Sequence, residues 1–153
     1  MSFSLEIKAF GYGKLIPLGH TCDGEDISPE LSWIDTPPDT KSFVLIVDDP
    51  DAPGGTWNHW LLCAISASTS RLAQGFEPGQ VGISGQNDFD RLGYGGPCPP
   101  PGHGPHRYFF RLYAVDVPAL GLAEGANRKA IDNALKGRIL AKAEYMGTYE
   151  RKR

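Results

Sequence analysis

Three places in the chain put polar, chemistry-bearing residues at the mouth of an apolar run. The segment Val47-Asp48-Asp49-Pro50-Asp51-Ala52-Pro53 closes the most hydrophobic stretch with three carboxylates and two prolines. In extended backbone Asp49 and Asp51 share one side and Asp48 takes the other. Asn58-His59 opens a second run, and simple alternation puts His59 on the face of Leu61 and Cys63. His106-Arg107-Tyr108 opens a third, with His106 and Tyr108 on one face and Arg107 and Arg111 on the other. Two imidazoles and a phenol can donate hydrogen bonds to an anion such as phosphate. Bare carboxylates repel such an anion. Beside an imidazole, however, a carboxylate favours and orients the charged ring, and beside an anion site it suits the ammonium of a zwitterion such as phosphoethanolamine.

Strands must carry these groups to one rim. Period-two alternation predicts a half-buried strand over Phe3 to Ala9, and Ser42 to Val47 reads as a strand buried on both faces. Further strands are expected from about His59 to Ile65 and from His106 to Val115. If the strand ending at Asp49 has antiparallel neighbours starting at His59 and His106, all three polar ends meet at one rim. Between Gly93 and Pro105 lie five glycines and five prolines. Glycine lets backbone approach a ligand and proline stiffens a wall, so this segment is a candidate pocket wall in which Pro100 sits. One or two short helices are expected, the clear one from Arg128 to Lys136, with Asn127 as N-cap and Gly137 as its stop. Ile139, Ala141, Ala143 and Tyr145 alternate in a last strand.

The chain has 153 residues with 19 glycines and 13 prolines, too many turns for a helical domain. Mostly β architecture over a single domain, residues 1–153, is the expectation. A formal charge of −3 argues against nucleic acid as the main partner. No apolar run reaches the roughly 20 residues that span a bilayer, so membrane insertion is not expected. The opening MSFSLEIKAF shows no basic segment followed by an apolar one, which makes the cytoplasm the expected compartment. Cys22, Cys63 and Cys98 form no CxxC pair and no disulfide framework. Cys63 reads as a buried hydrophobe. Cys22 and Cys98 both lie in Gly- or Pro-rich loops and could meet, although a cytoplasmic setting weighs against a disulfide.

Each feature has a plainer explanation when taken singly. An Asp-x-Asp after a strand is commonly a turn, a histidine entering a strand is commonly structural, and Trp33, Trp57 and Trp60 fit core or loop packing. His103, in mid-loop, is expected to face solvent. Arg107 and Arg111 are expected in ion pairs or at the surface.

The combination is more specific than its parts. DDPDAP, then WNHWLL, then GPCPPPGHGPHRYFFRLYAVD resemble the signature regions of the phosphatidylethanolamine-binding proteins, in the same order, and TCDGEDISPELSW upstream is similar too. The likeness runs from about Phe10 to Tyr149 and is nearest the bacterial and archaeal, Raf-kinase-inhibitor-like branch. It implies a large antiparallel sheet packed on a smaller one in Greek-key fashion, with a small anion pocket at one end. The matching pocket residues are Asp49, Asp51, His59, Pro100, His106 and Tyr108, and the Ala52–Pro53 bond matches one that is cis in the family. Family ligands are phosphate-type groups, including phosphoethanolamine headgroups and phosphorylated side chains, and some eukaryotic members inhibit or scaffold kinases. Animal members have a longer loop than Gly54 to Trp57 and a C-terminal helix over the site, so a more open pocket is expected here.

The expected function is therefore noncatalytic binding of a small phosphate-bearing ligand or phosphorylated partner, without cofactor or metal. His59, His106 and Tyr108 would donate to the anion. Asp49 and Asp51 would orient the histidines or meet an amine, and Pro100 would shape the wall. One alternative is a metal-dependent phosphoester hydrolase using the Asp/His cluster, although the spacing matches no short metal motif. Another is a regulator that binds protein, a kinase among the candidates, outside the pocket. A homodimer is compatible with the chain, but no apolar heptad advertises one.

Overall fold

The most apolar segment becomes the strand buried on both faces. In the computed structural model, which describes residues 2–152, Ser42–Asp49 is a strand in which all eight residues are buried. Counting along the chain, the strands are β1 (Ser4–Glu6), β2 (Leu31–Ile34), β3 (Ser42–Asp49), β4 (Trp57–Ser66), β5 (Arg71–Leu72), β6 (Ile83–Ser84), β7 (His106–Val115) and β8 (Ile139–Tyr149). Helix α1 (Arg128–Leu135) lies between β7 and β8. The strands form a five-stranded sheet in the order β6-β4-β3-β7-β8 and a three-stranded sheet in the order β1-β2-β5. Every pairing within these two sheets is antiparallel.

Two apolar layers follow from the alternation along β3. Phe43, Leu45 and Val47 face the small sheet, where they join Leu5, Leu31, Trp33 and Leu72. Val44 and Ile46 face the other way and join Leu61, Cys63 and Val115 beneath Ile131 and Leu135 of α1. Full burial of each such aliphatic or aromatic side chain contributes about 1.5–3 kcal/mol. The helix starts as expected: Asn127 Oδ1 accepts the Ala130 N–H at 2.8 Å. It ends before Gly137, whose φ of +75° is the left-handed turn that glycine allows.

β1 is shorter than the expected Phe3–Ala9 strand. Its partner β2 has only four residues, so the ladder runs out after Glu6 pairs with Ser32. β8 instead extends past Tyr145 to Tyr149. Its outer edge is paired there by the segment before Pro17, with Ile16 N–H donating to the Thr148 carbonyl at 2.8 Å and Thr148 N–H to that of Lys14 at 2.9 Å. No helix among the described residues is long and apolar enough to cross a membrane.

Asp48 points toward the helix side. It is buried but neutralised by Arg111 and by Arg128 Nη1 at 2.9 Å, and Arg128 also reaches Asn58 Oδ1 at 2.9 Å. A buried carboxylate needs such partners, and these tie the first turn of α1 to the sheet.

Candidate functional site

Because β3 lies between β4 and β7 and both run antiparallel to it, the end of β3 meets the starts of its two neighbours. Asp48 sits opposite Asn58 on one side and Phe109 on the other. The rim foreseen from the three polar openings is therefore present.

One side chain reaches it by a route that simple alternation does not give. The β3–β4 register shifts between Val47, which pairs with Trp60, and Asp48, which pairs with Asn58. The extra residue is His59, and such a bulge re-aims the bulged side chain. Asn58 stays on the helix side with Asp48. His59 turns away from Leu61 and Cys63 and stands against Tyr108, ring centroids 5.2 Å apart. The expected shared face with Leu61 and Cys63 is thus corrected.

A cavity of about 190 Å³ opens at this rim. It is smaller than the roughly 300–1,000 Å³ of pockets for drug-sized ligands, and it suits a headgroup-sized one. Asp49, His59, His106 and Tyr108 supply its polar lining; Pro100 stands in the wall with Pro99 and Cys98; Ala52, Pro53, Trp57 and Phe89 complete it. Trp57, 39% exposed, stacks edge-on against Phe89 at the mouth, whereas Trp33 and Trp60 are core residues.

The polar atoms are bonded in a definite pattern. His59 Nδ1 lies 2.7 Å from the Gly95 carbonyl oxygen. Burial pushes the His59 ring toward its neutral form, opposed by that carbonyl and by the Asp49 charge. His106 Nδ1 lies 2.6 Å from Asp49 Oδ2, and its Nε2 lies 2.6 Å from His103 Nδ1. Asp49 Oδ1 accepts the Asp51 N–H at 2.7 Å. Tyr108 is 1% exposed, and its buried hydroxyl has no hydrogen-bond partner among the described residues. Burial, reinforced by the Asp49 charge and by the approach of the hydroxyl to the Asp49 carboxylate outside hydrogen-bond geometry, pushes the phenol pKa up, so the hydroxyl keeps its proton.

Asp51 is displaced from the expected set. It does not line the cavity; both of its oxygens take the Arg107 guanidinium, at 2.8 and 2.9 Å, and Oδ2 also accepts the Arg107 N–H at 2.9 Å. Those side-chain hydrogen bonds hold its carboxyl down to about 2. Its part in the rim is to pin the loop that follows β3. Arg107 and Arg111 are in ion pairs, as expected.

The Ala52–Pro53 bond, expected to be cis from the family likeness, is trans, as no cis peptide occurs among the described residues. Gly55 N–H closes on the Ala52 carbonyl at 3.1 Å. That turn puts Pro53 at its second position, where a trans proline with its fixed φ fits.

The wall carries a covalent tie. Cys22 and Cys98 form a disulfide with Cα atoms 5.4 Å apart. Gly96 shows why glycines are needed beside it. Its N–H donates to Asp26 Oδ1 at 2.7 Å, and a Cβ there would drive into the His20 carbonyl oxygen.

Phe89 and His103 were not found from the sequence. Phe89 is aimed by buried Asn87, whose Oδ1 accepts the Phe89 and Arg91 N–H groups and whose Nδ2 donates to the Gly93 carbonyl. An Asn-Asp before an aromatic was the one available sign of a side-chain-closed turn. His103 is exposed, as expected, yet one ring nitrogen faces His106. Its three-residue spacing from His106 across Gly104 gave no periodic signal.

Comparison with known proteins agrees with this fold. Residues 6–150 match the family model described as phosphatidylethanolamine-binding protein. A UPF0098 protein of Aquifex aeolicus is 52% identical over 147 residues, covering 94% of this chain and 86% of its own. A phosphatidylethanolamine-binding protein homologue from Chlamydia trachomatis superposes with a TM-score of 0.90 at 42% identity, over 99% of each chain. Escherichia coli YbcL, described as a member of the mammalian family, superposes with a TM-score of 0.92 at 31% identity, over 99% of this chain and 100% of its own. With the matched segment spanning almost every residue from β1 to β8, the chain belongs to the phosphatidylethanolamine-binding protein family.

Proposed function

We propose that this chain is a noncatalytic binding module whose rim pocket holds a small phosphate-bearing ligand, free or displayed on a phosphorylated partner. The observation that carries this reading is the Tyr108 hydroxyl, a buried donor without a partner, lining a headgroup-sized cavity. Buried polar groups are almost always satisfied, and one left open in a cavity is an invitation to a ligand acceptor. The two histidines flank it. Asp49 orients His106 rather than facing the ligand with both oxygens free. Pro100 and its neighbours hold the wall. A phosphorylated side chain of a kinase or other signalling protein would present the same group.

The arrangement supports binding over metal-assisted hydrolysis. Among the described residues no group of three or more His, Cys, Asp or Glu is placed to hold a metal ion. Cys98, the only thiol-bearing residue type in the lining, is committed to the disulfide.

Calorimetric titration of chelator-treated protein with inorganic phosphate and with phosphoethanolamine tests the reading. Saturable one-to-one binding is expected, lost on His106→Ala. Binding that appears only when zinc is restored would favour the hydrolase. Partner capture that survives His106→Ala would favour a surface outside the pocket.

A further inference from the structure

The hydrogen bonds inside the pocket restrict the protonation state of what can enter it. This inference rests on the phosphate-binding reading and deepens it. A carbonyl oxygen only accepts, so His59 Nδ1, 2.7 Å from the Gly95 oxygen, carries the hydrogen. In the neutral ring, Nε2 is then a bare lone pair, and it has no partner among the described residues. Burial favours that neutral ring. His106 has both nitrogens engaged, by Asp49 and by His103. Both Asp49 oxygens accept hydrogen bonds, from His106 and from the Asp51 backbone. Two buried polar side-chain groups in the lining remain open, the Tyr108 hydroxyl as donor and His59 Nε2 as acceptor, and the indole N–H of exposed Trp57 is a further donor in the lining.

A doubly ionised phosphate monoester only accepts. In this pocket it would find one free buried donor, and it would face the His59 lone pair and the Asp49 carboxylate. A singly protonated monoester has one P–O–H donor and several acceptors, which is the complement of the open pair. We propose that the pocket binds a phosphate monoester, or inorganic phosphate, in its singly protonated state, with P–O–H donating to His59 Nε2 and another phosphate oxygen accepting from Tyr108. A phosphodiester, the form found in an intact phospholipid headgroup, has no such hydrogen and leaves His59 Nε2 unanswered. The pocket therefore discriminates monoester from diester, and binding from alkaline solution takes up one proton.

The charged and ionisable groups around His59 are few. Asp49 faces it from β3 and Tyr108 from β7. The wall offers backbone at Gly95 and Gly96, and Asp48 acts from the far side of the sheet. Around His106 stand Asp49, His103, the Arg107–Asp51 pair and, on β8, Tyr149 opposite in the ladder.

The test is calorimetry on the wild-type chain at pH 5.5 to 9, each point in two buffers of different ionisation heat. The probes are inorganic phosphate, phosphoethanolamine, glycerophosphoethanolamine as diester, and sulfate. Monoester second ionisation lies near pH 6, so affinity for phosphoethanolamine should fall about tenfold per pH unit between pH 7 and 9. Proton uptake should approach one per ligand there, and the diester and sulfate should bind at least about tenfold more weakly at pH 7. In His59→Gln the side-chain amide can donate, and both the uptake and the monoester preference should vanish. The wild-type series decides the matter even if that variant does not fold. Monoester affinity that is flat from pH 7 to 9 without proton uptake, or a diester that binds as tightly, overturns this inference and leaves the phosphate reading standing. Absence of monoester binding at every pH overturns both.

Discussion

Tyr108→Phe is expected to give a chain that is more stable and a pocket that is weaker. The side chain is fully packed between the sheets' apolar layer and the cavity, so phenylalanine keeps the packing and removes only the hydroxyl. In the free protein that hydroxyl is a buried donor without a partner, a state that costs about 1–3 kcal/mol. Its removal should raise unfolding stability by roughly 1 kcal/mol, read from a higher urea midpoint at unchanged slope. With phosphate bound, the same hydroxyl makes a charge-assisted hydrogen bond of about 1.5–3 kcal/mol, so affinity should drop roughly 10- to 150-fold. The two changes have opposite signs, which is the mark of a group retained for its ligand. Loss of stability together with unchanged affinity would show that the hydroxyl has a structural partner and no ligand.

Breaking the Cys22–Cys98 bridge is expected to have the largest effect on stability. The two cysteines are 76 residues apart, and freeing that loop in the unfolded chain lowers stability by about 4.5 kcal/mol in the chain-entropy account. The double variant Cys22→Ser/Cys98→Ser should therefore unfold at much lower urea than the oxidised wild type, and reductant should reproduce the shift in wild type alone. The wall would not fall away. Cys22 N–H still donates to the Pro97 carbonyl at 3.0 Å, and Gly102 N–H to that of Arg151 at 2.7 Å. Because Cys98 itself lines the cavity, ligand affinity should weaken as well. Equal midpoints with and without the bridge would contradict this. Outside hyperthermophiles such a bridge is the chemistry of oxidising compartments, so it weighs against the cytoplasmic setting expected from the opening residues.

What could be read beforehand follows from periodicity. β7 was bounded at His106 and Val115, and α1 from its Asn127 cap to the Gly137 stop, because long segments carry their own pattern. The rim was legible for the same reason, since three apolar runs with polar ends in antiparallel order must bring those ends together. β5 and β6 have two residues each and owe their existence to the edges they pair with, so no local pattern announces them. The turn of His59 toward Tyr108 depends on a bulge opposite Val47 and Asp48, a property of two strands in register. The engagement of Asp51 by Arg107 was equally hidden. Arg107 was correctly given an ion pair, but its partner lies 56 residues away in the chain and was instead counted among the pocket groups. The disulfide turned on whether two irregular loops meet, which spacing does not decide.

The central claim is that His59 and His106 share one anion pocket, and imidazole NMR spectra of chelator-treated protein during a phosphate titration test it most directly. His20 is an internal control, since it is buried with its Nδ1 near the Ile27 carbonyl and does not line the cavity. The account predicts saturable shifts at His59 and His106 with one common dissociation constant and a still His20. Unmoved His59 and His106 signals at saturating phosphate would contradict it.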